Sequence, residues 1–246
     1  VPKLMDANKA GGPKSDECIL ILCEGDSAKA GIVSGLTKED RDYIGVFPLK
    51  GKLLNTKDIT AKKINENAEI TNIKKIVGLA TGKIYNKEEM KKSLRYGKIL
   101  FMTDQDLDGS HIKGLCINLF HSQWHDLVKV DNFLGFMNTP ILKATKGKKC
   151  LSFYSDSAYS KWKLDNDTKG WKIKYYKGLG TSTAKEFKEY FAKKRIVTFK
   201  FKEKCDDAID KAFNKNRADD RKDWLGNYNK DSVLDIKRKQ ISYEDF

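Results

Sequence analysis

The stretch KILFMTDQDLDGSHIKG, residues 98–114, joins a short apolar run to three aspartates at every second position, Asp104, Asp106 and Asp108. The run KILFMT is typical of a strand buried on both faces of a parallel sheet. After the aspartates, apolar side chains recur at helical spacing as far as Trp124. The stretch therefore predicts a buried strand, an acidic turn and an amphipathic helix.

Two earlier apolar runs have the same character. CILILC (18–23) leads directly to Glu24 and a helical pattern that Asp26 or Ser27 could cap. YIGVFPL (43–49) ends at a proline and a basic turn. Each run predicts another buried strand of the same sheet.

The order of these patterns predicts the fold class. Strands alternate with helices over residues 17–135, which predicts an α/β core with a Rossmann-like parallel sheet flanked by helices. Residues 136–226 mix hairpin-like strands with helices and predict an α+β extension, and the polar residues 227–246 predict a linker. No run approaches the roughly 20 apolar residues of a membrane span, and no signal peptide is recognisable.

The charge predicts a polyanionic partner. The net charge is +14, and residues 139–201 contain 16 Lys and Arg against 5 Asp and Glu. Lysine-rich surfaces also serve solubility, so charge alone leaves nucleic-acid binding open. The aromatic residues among the lysines of WKIKYYKGLGT (171–181) favour binding, although a half-buried edge strand has the same pattern.

Cysteine and histidine patterns do not favour a zinc site. The five cysteines show no CxxC spacing and are predicted to be small buried residues of a reduced compartment. His121 and His125 have the i,i+4 spacing of a zinc-protease helix, but Ser122 stands where that motif needs its glutamate base.

The acidic turn fits a magnesium site better than a calcium loop. An EF-hand loop begun at Asp104 would need glutamate where Leu115 stands, and a helix in front where a strand is predicted. Ligands of open α/β sheets collect at the carboxyl ends of the strands, where Glu24 is also placed. Glu24 alone could equally be a helix-dipole partner. Together, carboxylates on neighbouring strands predict a divalent-cation cluster.

Several motifs resemble a known family. EGDSA (24–28) and DQDLDGSHI (104–112) resemble the Toprim fold of topoisomerases, primases and some nucleases. RDYIGVFPLKGKLLN (41–55) and KIKYYKGLGTSTAKEFKEYF (172–191) resemble eukaryotic-type DNA topoisomerase II, the type IIA enzyme. The resemblance covers essentially the whole chain.

The resemblance implies a Toprim fold and a metal centre for phosphoryl transfer. Glu24, Asp104 and Asp106 match the positions that hold Mg²⁺ in the family, with Mn²⁺ or Ca²⁺ as substitutes. Asp108 matches a further acid that is less regularly a ligand. The metal would polarise the scissile phosphate and stabilise the leaving 3′ oxygen.

The resemblance also implies contacts with double-stranded DNA. The implied DNA-contact positions are Lys50, Lys52, Asn55, Lys177 and Lys215. Inhibitors that trap cleavage in the family sit near Gly25, Asp26 and Lys50. Many relatives have arginine at the Lys50 position, and lysine lacks the bidentate fork.

The family nucleophile is a tyrosine after an arginine in a winged-helix domain, and the resemblance ends at ISYEDF (241–246), before such a domain. Arg95-Tyr96 offers the same dipeptide in a different context. The ATPase domain has no match either. We therefore expect an inactive fragment of an ATP-dependent enzyme that is a homodimer through other segments, nuclear in a eukaryotic cell or located in a viral factory or the cytoplasm if viral.

Two alternatives of different kinds stay open. A self-sufficient Toprim nuclease would share the acids, and a non-catalytic DNA-binding module would share only the basic surface. A dinucleotide site at KGLGT (177–181) is disfavoured because the full G-x-G-x-x-G pattern is missing.

Overall fold

The computed structural model describes residues 1–229, 234 and 237–246 of the chain. The strands are β1 (Ile19–Glu24), β2 (Ile44–Leu49), β3 (Lys98–Met102), β4 (Leu134–Met137), β5 (Leu142–Lys146), β6 (Lys149–Phe153), β7 (Lys172–Tyr175), β8 (Ile196–Lys200) and β9 (Gln240–Ser242). The α-helices are α1 (Gly25–Gly35), α2 (Lys38–Tyr43), α3 (Ala61–Glu66), α4 (Ala68–Val77), α5 (Lys87–Ser93), α6 (Leu107–Gln123), α7 (His125–Val128), α8 (Asp156–Asp165), α9 (Ala184–Lys193), α10 (Cys205–Phe213) and α11 (Ala218–Gly226).

The main sheet has six strands in the order β2-β1-β3-β4-β8-β9. The first four are mutually parallel, so the predicted α/β core is confirmed. β8 is antiparallel to β4, and β9 is parallel to β8, which makes the complete sheet mixed. Because β1 lies between β2 and β3, the carboxyl ends of these three strands meet at one edge.

The central strand β1 is apolar throughout because both faces of the sheet are covered. Leu20 and Leu22 belong to a hydrophobic cluster with residues of α4 and α6. Ile21 and Cys23 point the other way, into a cluster with residues of α1 and α9. The alternation of side chains along an extended strand divides the two cores.

Helices α1 and α9 pack at unusually short range. A Cβ atom on Gly31 would lie 2.4 Å from the Phe187 ring, and one on Gly35 would lie 2.5 Å from the Phe187 Cβ. Glycines at these positions let α9, which comes from the C-terminal half of the chain, dock directly on the first helix of the core.

The predicted α+β extension is also present. β6, β5 and β7 form an antiparallel sheet, and α8 packs on it through a small cluster that includes Phe153, Tyr159, Trp162 and Trp171. Within residues 1–229, 234 and 237–246, no helix has both the length and the apolar character needed to cross a membrane.

Several local predictions differ from the structure. The N-cap of α1 is Glu24, not Asp26 or Ser27, because Gly25 with φ +83° turns the chain sharply at the strand end. Among the cysteines, Cys150 is exposed rather than buried. β4 and α8 had no predicted counterpart.

The predicted linker 227–246 lies partly outside the described residues, at 230–233 and 235–236. Its final part belongs to the main sheet, because β9 pairs with β8 and the buried Tyr243 ring stacks on Phe199 at 4.8 Å between centroids. The division into residues 17–135, 136–226 and 227–246 stays a prediction.

Candidate metal centre and DNA-contact surface

Glu24 and Asp104 meet at the carboxyl edge of the sheet. β1 and β3 are parallel neighbours with Cys23 opposite Met102, so Glu24, the last residue of β1, lies at the same edge as the residues that follow β3. The Asp104 backbone N–H donates a hydrogen bond to Glu24 Oε2 at 3.4 Å. Two acids that are 80 positions apart in the chain are therefore adjacent in the fold.

The surroundings of Glu24 disfavour its negative charge. Burial raises the pKa of Glu24, and the hydrogen bond from the Asp104 backbone opposes that rise. The neighbouring carboxylates of Asp104, Asp106 and Asp108 raise the pKa of Glu24 further. A divalent cation at this edge would relieve the repulsion.

The Asp104 carboxylate is held by the KGLGT segment. The backbone N–H of Leu179 donates to Asp104 Oδ1 at 2.7 Å. A Cβ on Gly178 would lie only 2.4 Å from Asp104 Oδ2, so the carboxylate occupies the space that a side chain there would need. The sequence pattern did not predict the contacts of Gly178 and Leu179 with Asp104. The only local sign was the glycine directly after Lys177.

Asp106 caps the helix that follows the acidic turn. Its Oδ1 accepts a hydrogen bond from the Gly109 backbone N–H at 2.7 Å and makes Asp106 the N-cap of α6. The helix thus begins at Leu107, within the acidic turn itself. A Cβ on the buried Gly109 would lie 2.0 Å from the Asp104 carbonyl oxygen, so this glycine keeps the turn closed.

Asp108 forms an ion pair with Lys52. The Lys52 Nζ to Asp108 Oδ1 distance is 2.9 Å, and both side chains are at least half exposed. The hydrogen bond from Lys52 lowers the pKa of Asp108. The ion pair connects the acidic turn to the basic turn after β2.

Comparison with known proteins identifies the family. Residues 19–133 match the family model described as the Toprim domain, and residues 137–246 match the C-terminal associated domain of TOPRIM. DNA topoisomerase 2-beta of Homo sapiens is 57% identical over 236 residues, which are 94% of this chain and 14% of the human protein. The chain belongs to the Toprim region of the DNA topoisomerase II family.

Similarity to Plasmodium falciparum proteins supports the same family. DNA topoisomerase 2 of Plasmodium falciparum is 52% identical over 250 residues and matches 100% of this chain, which spans 18% of that relative. The crystal structure of the Plasmodium falciparum topoisomerase II DNA-binding, cleavage and re-ligation domain superposes with a TM-score of 0.94 at 49% identity, covering 100% of this chain and 34% of that one. The chain spans less than a fifth of the curated relatives' length.

In this topoisomerase II Toprim region, the basic turn after β2 is exposed at Lys50 and Lys52. The Lys50 backbone N–H donates to Glu69 Oε1 at 2.6 Å. This hydrogen bond does not involve the Lys50 ammonium group. Gly51 has φ +118°, a conformation that favours glycine. The turn therefore presents two lysine side chains beside the acidic turn.

Asn55 has a structural role in the Toprim region. Its Nδ2 donates to the Phe213 carbonyl at 2.9 Å. Its Oδ1 accepts from Asn118 Nδ2 at 2.9 Å and from the Lys57 backbone N–H at 3.0 Å. Both ends of the amide thus have protein partners, and Asn55 links the basic turn to α6 and α10.

The remaining predicted positions lie on the surface of the Toprim region. Lys177 and Lys215 are exposed, and Lys215 lines a groove with Asn55. Asp26 is exposed and pairs with Lys3 at 2.6 Å, and the hydrogen bond from Lys3 lowers the pKa of Asp26.

Tyr96, from the dipeptide considered as a possible nucleophile, is a core residue of the Toprim region. Its side chain is fully buried, and its hydroxyl accepts a hydrogen bond from the Ala7 backbone at 2.9 Å and also contacts Asp6. Burial raises the pKa of Tyr96. The phenol is therefore unsuited to attack a DNA phosphate.

Proposed function

We propose that this chain supplies the Mg²⁺ centre and part of the DNA-contact surface of a type IIA DNA topoisomerase. The whole enzyme would cleave and religate both DNA strands for ATP-dependent strand passage, which results in relaxation and decatenation. The observation that carries the proposal is the adjacency of Glu24 and Asp104 at the carboxyl edge of the sheet, with Asp104 held by Leu179.

The donor set fits a hard divalent cation. Glu24, Asp104 and Asp106 offer carboxylate oxygens, which Mg²⁺ prefers, and Mn²⁺ or Ca²⁺ would substitute. Asp108 is the proposed outer ligand of the group. When bound, the metal supplies the positive charge that polarises the scissile phosphate and stabilises the leaving 3′ oxygen. The chain's own residues position that charge and do not attack the phosphate.

The DNA-contact surface is proposed to comprise basic side chains around this edge. Lys50, Lys52, Lys177 and Lys215 would contact phosphates, and Asn55 would act mainly by holding the segment in place because its amide is bonded within the protein. A cation on Asp108 and a phosphate on Lys52 would each break the same ion pair, so we expect the two binding events to favour each other.

The wider properties of the enzyme are part of the same proposal. The nucleophilic tyrosine and the ATPase would come from other domains, and homodimerisation from other segments. The proposed location is the nucleus of a eukaryotic cell, or a viral factory or the cytoplasm if the chain is viral. The 246 residues alone are proposed to bind metal and DNA without relaxing plasmids.

Metal titration tests the proposal. Calorimetric titration with Mn²⁺ should show at least about tenfold weaker binding for Glu24→Gln and Asp104→Asn than for the unchanged chain. Asp26→Asn is the matched control, because it removes an exposed carboxylate from the same region that pairs with Lys3 instead. Unchanged Mn²⁺ binding in both test variants would refute the metal centre and favour a DNA-binding module.

A plasmid assay separates the remaining alternative. We expect these residues neither to relax nor to nick supercoiled DNA in Mg²⁺. Nicking that survives replacement of every tyrosine would instead identify a self-sufficient Toprim nuclease. Robust relaxation by this chain alone would contradict the need for other domains.

A further inference from the structure

A second group of possible metal ligands lies away from the acidic turn. His121 Nε2 and His125 Nε2 are 2.7 and 2.6 Å from the same oxygen, Asp206 Oδ1. The three ligand atoms lie within 4.8 Å of one another. In the described part of the chain, this is the one group of three potential metal ligands that is so closely spaced.

The fold brings this histidine–aspartate cluster together from two halves of the chain. His121 lies in α6, and His125 begins α7 after the helix breaks at Trp124. The Trp124 indole N–H donates to the Ala80 carbonyl at 2.9 Å, which anchors the break. Asp206 lies in the first turn of α10 and approaches from the C-terminal half.

We propose that the histidine–aspartate cluster, His121, His125 and Asp206, is a binding site for Zn²⁺ or a similar divalent transition metal. Two imidazole nitrogens and one carboxylate oxygen are a zinc donor set, with water in the fourth position. Imidazole ligands suit zinc and neighbouring transition metals, whereas Mg²⁺ selects oxygen. The cluster therefore differs in metal preference from the acidic turn.

The geometry needs only a small adjustment to bind zinc. Tetrahedral coordination with bonds of about 2.0 to 2.1 Å separates ligand atoms by about 3.3 Å. The two nitrogen-to-oxygen distances of 2.6 and 2.7 Å must therefore open slightly. The side chains of His125 and Asp206 are 40% and 50% exposed, so they can rotate and leave room for a water ligand.

The cluster lies partly below the surface. The His121 side chain is only 9% exposed, and its Nε2 faces the Asp206 carboxylate. Lys57 is paired at 2.6 Å with Asp210, which lies one helical turn after Asp206 in α10. The Phe201 ring packs edge-on against His125 with centroids 5.8 Å apart.

Metal bound to the cluster would have a structural role and would take no part in DNA cleavage. His121 follows Asp106 by 15 positions, which in a helix corresponds to about 22 Å. Its three ligands join α6 and α7, from the residues that match the Toprim model, to α10, from those that match the associated domain. Bound metal would stabilise this junction.

Cobalt titration of the 246-residue chain tests the site. Co²⁺ should produce the visible absorption bands of a tetrahedral ion, and Zn²⁺ should displace it. We expect at least about tenfold weaker Co²⁺ binding in His125→Ala and in Asp206→Asn. Zn²⁺ should raise the Tm of the unchanged chain and leave the Tm of His125→Ala unaffected.

Three controls give the experiment its specificity. His111→Ala removes the third, exposed histidine, and Cys150→Ser removes the exposed thiol. The double variant Glu24→Gln, Asp104→Asn removes the proposed Mg²⁺ ligands. All three control variants should keep the cobalt bands. The test of the histidine–aspartate cluster is therefore independent of the test of the proposed function. Bands that persist in His125→Ala, bands lost in any control, or no Zn²⁺ effect on the unchanged chain would overturn the proposal.

Discussion

Gly178 shapes the proposed metal centre by lacking a side chain. Its backbone passes so close to Asp104 that the carboxylate fills the place of a Cβ atom, while the next residue, Leu179, donates to the same carboxylate. The φ of Gly178 is −179°, an extended conformation open to any residue. The requirement for glycine is therefore one of space and not of backbone strain.

Gly178→Ala should displace the Asp104 carboxylate and weaken Mn²⁺ binding by about tenfold, with a loss of stability of about 1 to 3 kcal/mol. Calorimetric Mn²⁺ titration and thermal unfolding would measure both effects. Gly180→Ala is the matched control, because a Cβ there would meet no atom within 4 Å. Equal behaviour of the two variants would show that the close approach is unimportant.

If Lys52 contacts DNA as proposed, Asp108 would compete with DNA for it. The ion pair between them must open before Lys52 can contact a phosphate. Asp108→Asn should therefore tighten DNA binding without divalent metal by up to about tenfold and steepen its salt dependence by about 0.9 in the log–log slope. Fluorescence anisotropy over a salt series would measure this.

Glu39→Gln is the control for a general change in charge. Glu39 is exposed in α2, which precedes the amino end of β2, whereas Lys50 follows the carboxyl end. It should change DNA affinity little. If Asp108→Asn binds DNA no better than Glu39→Gln, the ion pair does not restrain Lys52.

At the scale of elements, α9 connects the extension to the core. Its capping box joins Thr183 and Glu186, with the Thr183 backbone N–H donating to Glu186 Oε2 at 2.8 Å. The Glu186 carboxylate also accepts hydrogen bonds from Lys174 at 3.0 Å and from Tyr176. One carboxylate thus ties β7 and the next residue, Tyr176, to the start of α9.

Glu186 should contribute an acid-sensitive part of the stability. Burial alone would raise the pKa of Glu186, but hydrogen bonds from Tyr176, Thr183 and Lys174 outweigh it and lower the pKa to about 2. The ordinary value is 4.5. The stabilisation is therefore complete above about pH 4.5 and is lost as the pH falls towards about 2.

Glu186→Gln should reduce the free energy of unfolding at pH 7 by about 1 to 2 kcal/mol. The difference from the unchanged chain should shrink as the pH falls through this window. Urea unfolding at several pH values measures it, with the exposed Glu203→Gln as control. A difference that does not change between pH 7 and pH 3 would contradict the assigned hydrogen bonds.

At the scale of the whole molecule, the net charge of +14 and the lysines proposed to contact DNA predict that DNA binding weakens with salt. Each phosphate contact contributes about 0.9 to the slope of log K against log salt. Lys50→Ala with Lys177→Ala should therefore reduce the slope by about 1.8. Lys38→Ala, at the start of α2, which precedes the amino end of β2, should leave the slope unchanged.

Much of the fold could be predicted because its signals are local. The buried strands β1, β2 and β3 are largely apolar runs. The helix α6 lies where it was predicted, but it is not amphipathic, because every residue from Leu115 to His121 is buried. The pairing of Glu24 with Asp104 also followed, since residues after neighbouring parallel strands share an edge. The predicted N-cap of α1 was wrong because the position of the cap depends on the backbone turn at Gly25. The pattern of residue types does not show that turn.

The sequence by itself determined the α/β core, the acidic edge and the family, because periodicity, strand direction and motif spacing are encoded within short segments. Only the tertiary structure decided that Gly178 and Leu179 enclose Asp104, and that Asp206 meets His121 and His125. These contacts join residues 75 or more positions apart, and packing between distant elements, rather than any local pattern, sets their distances.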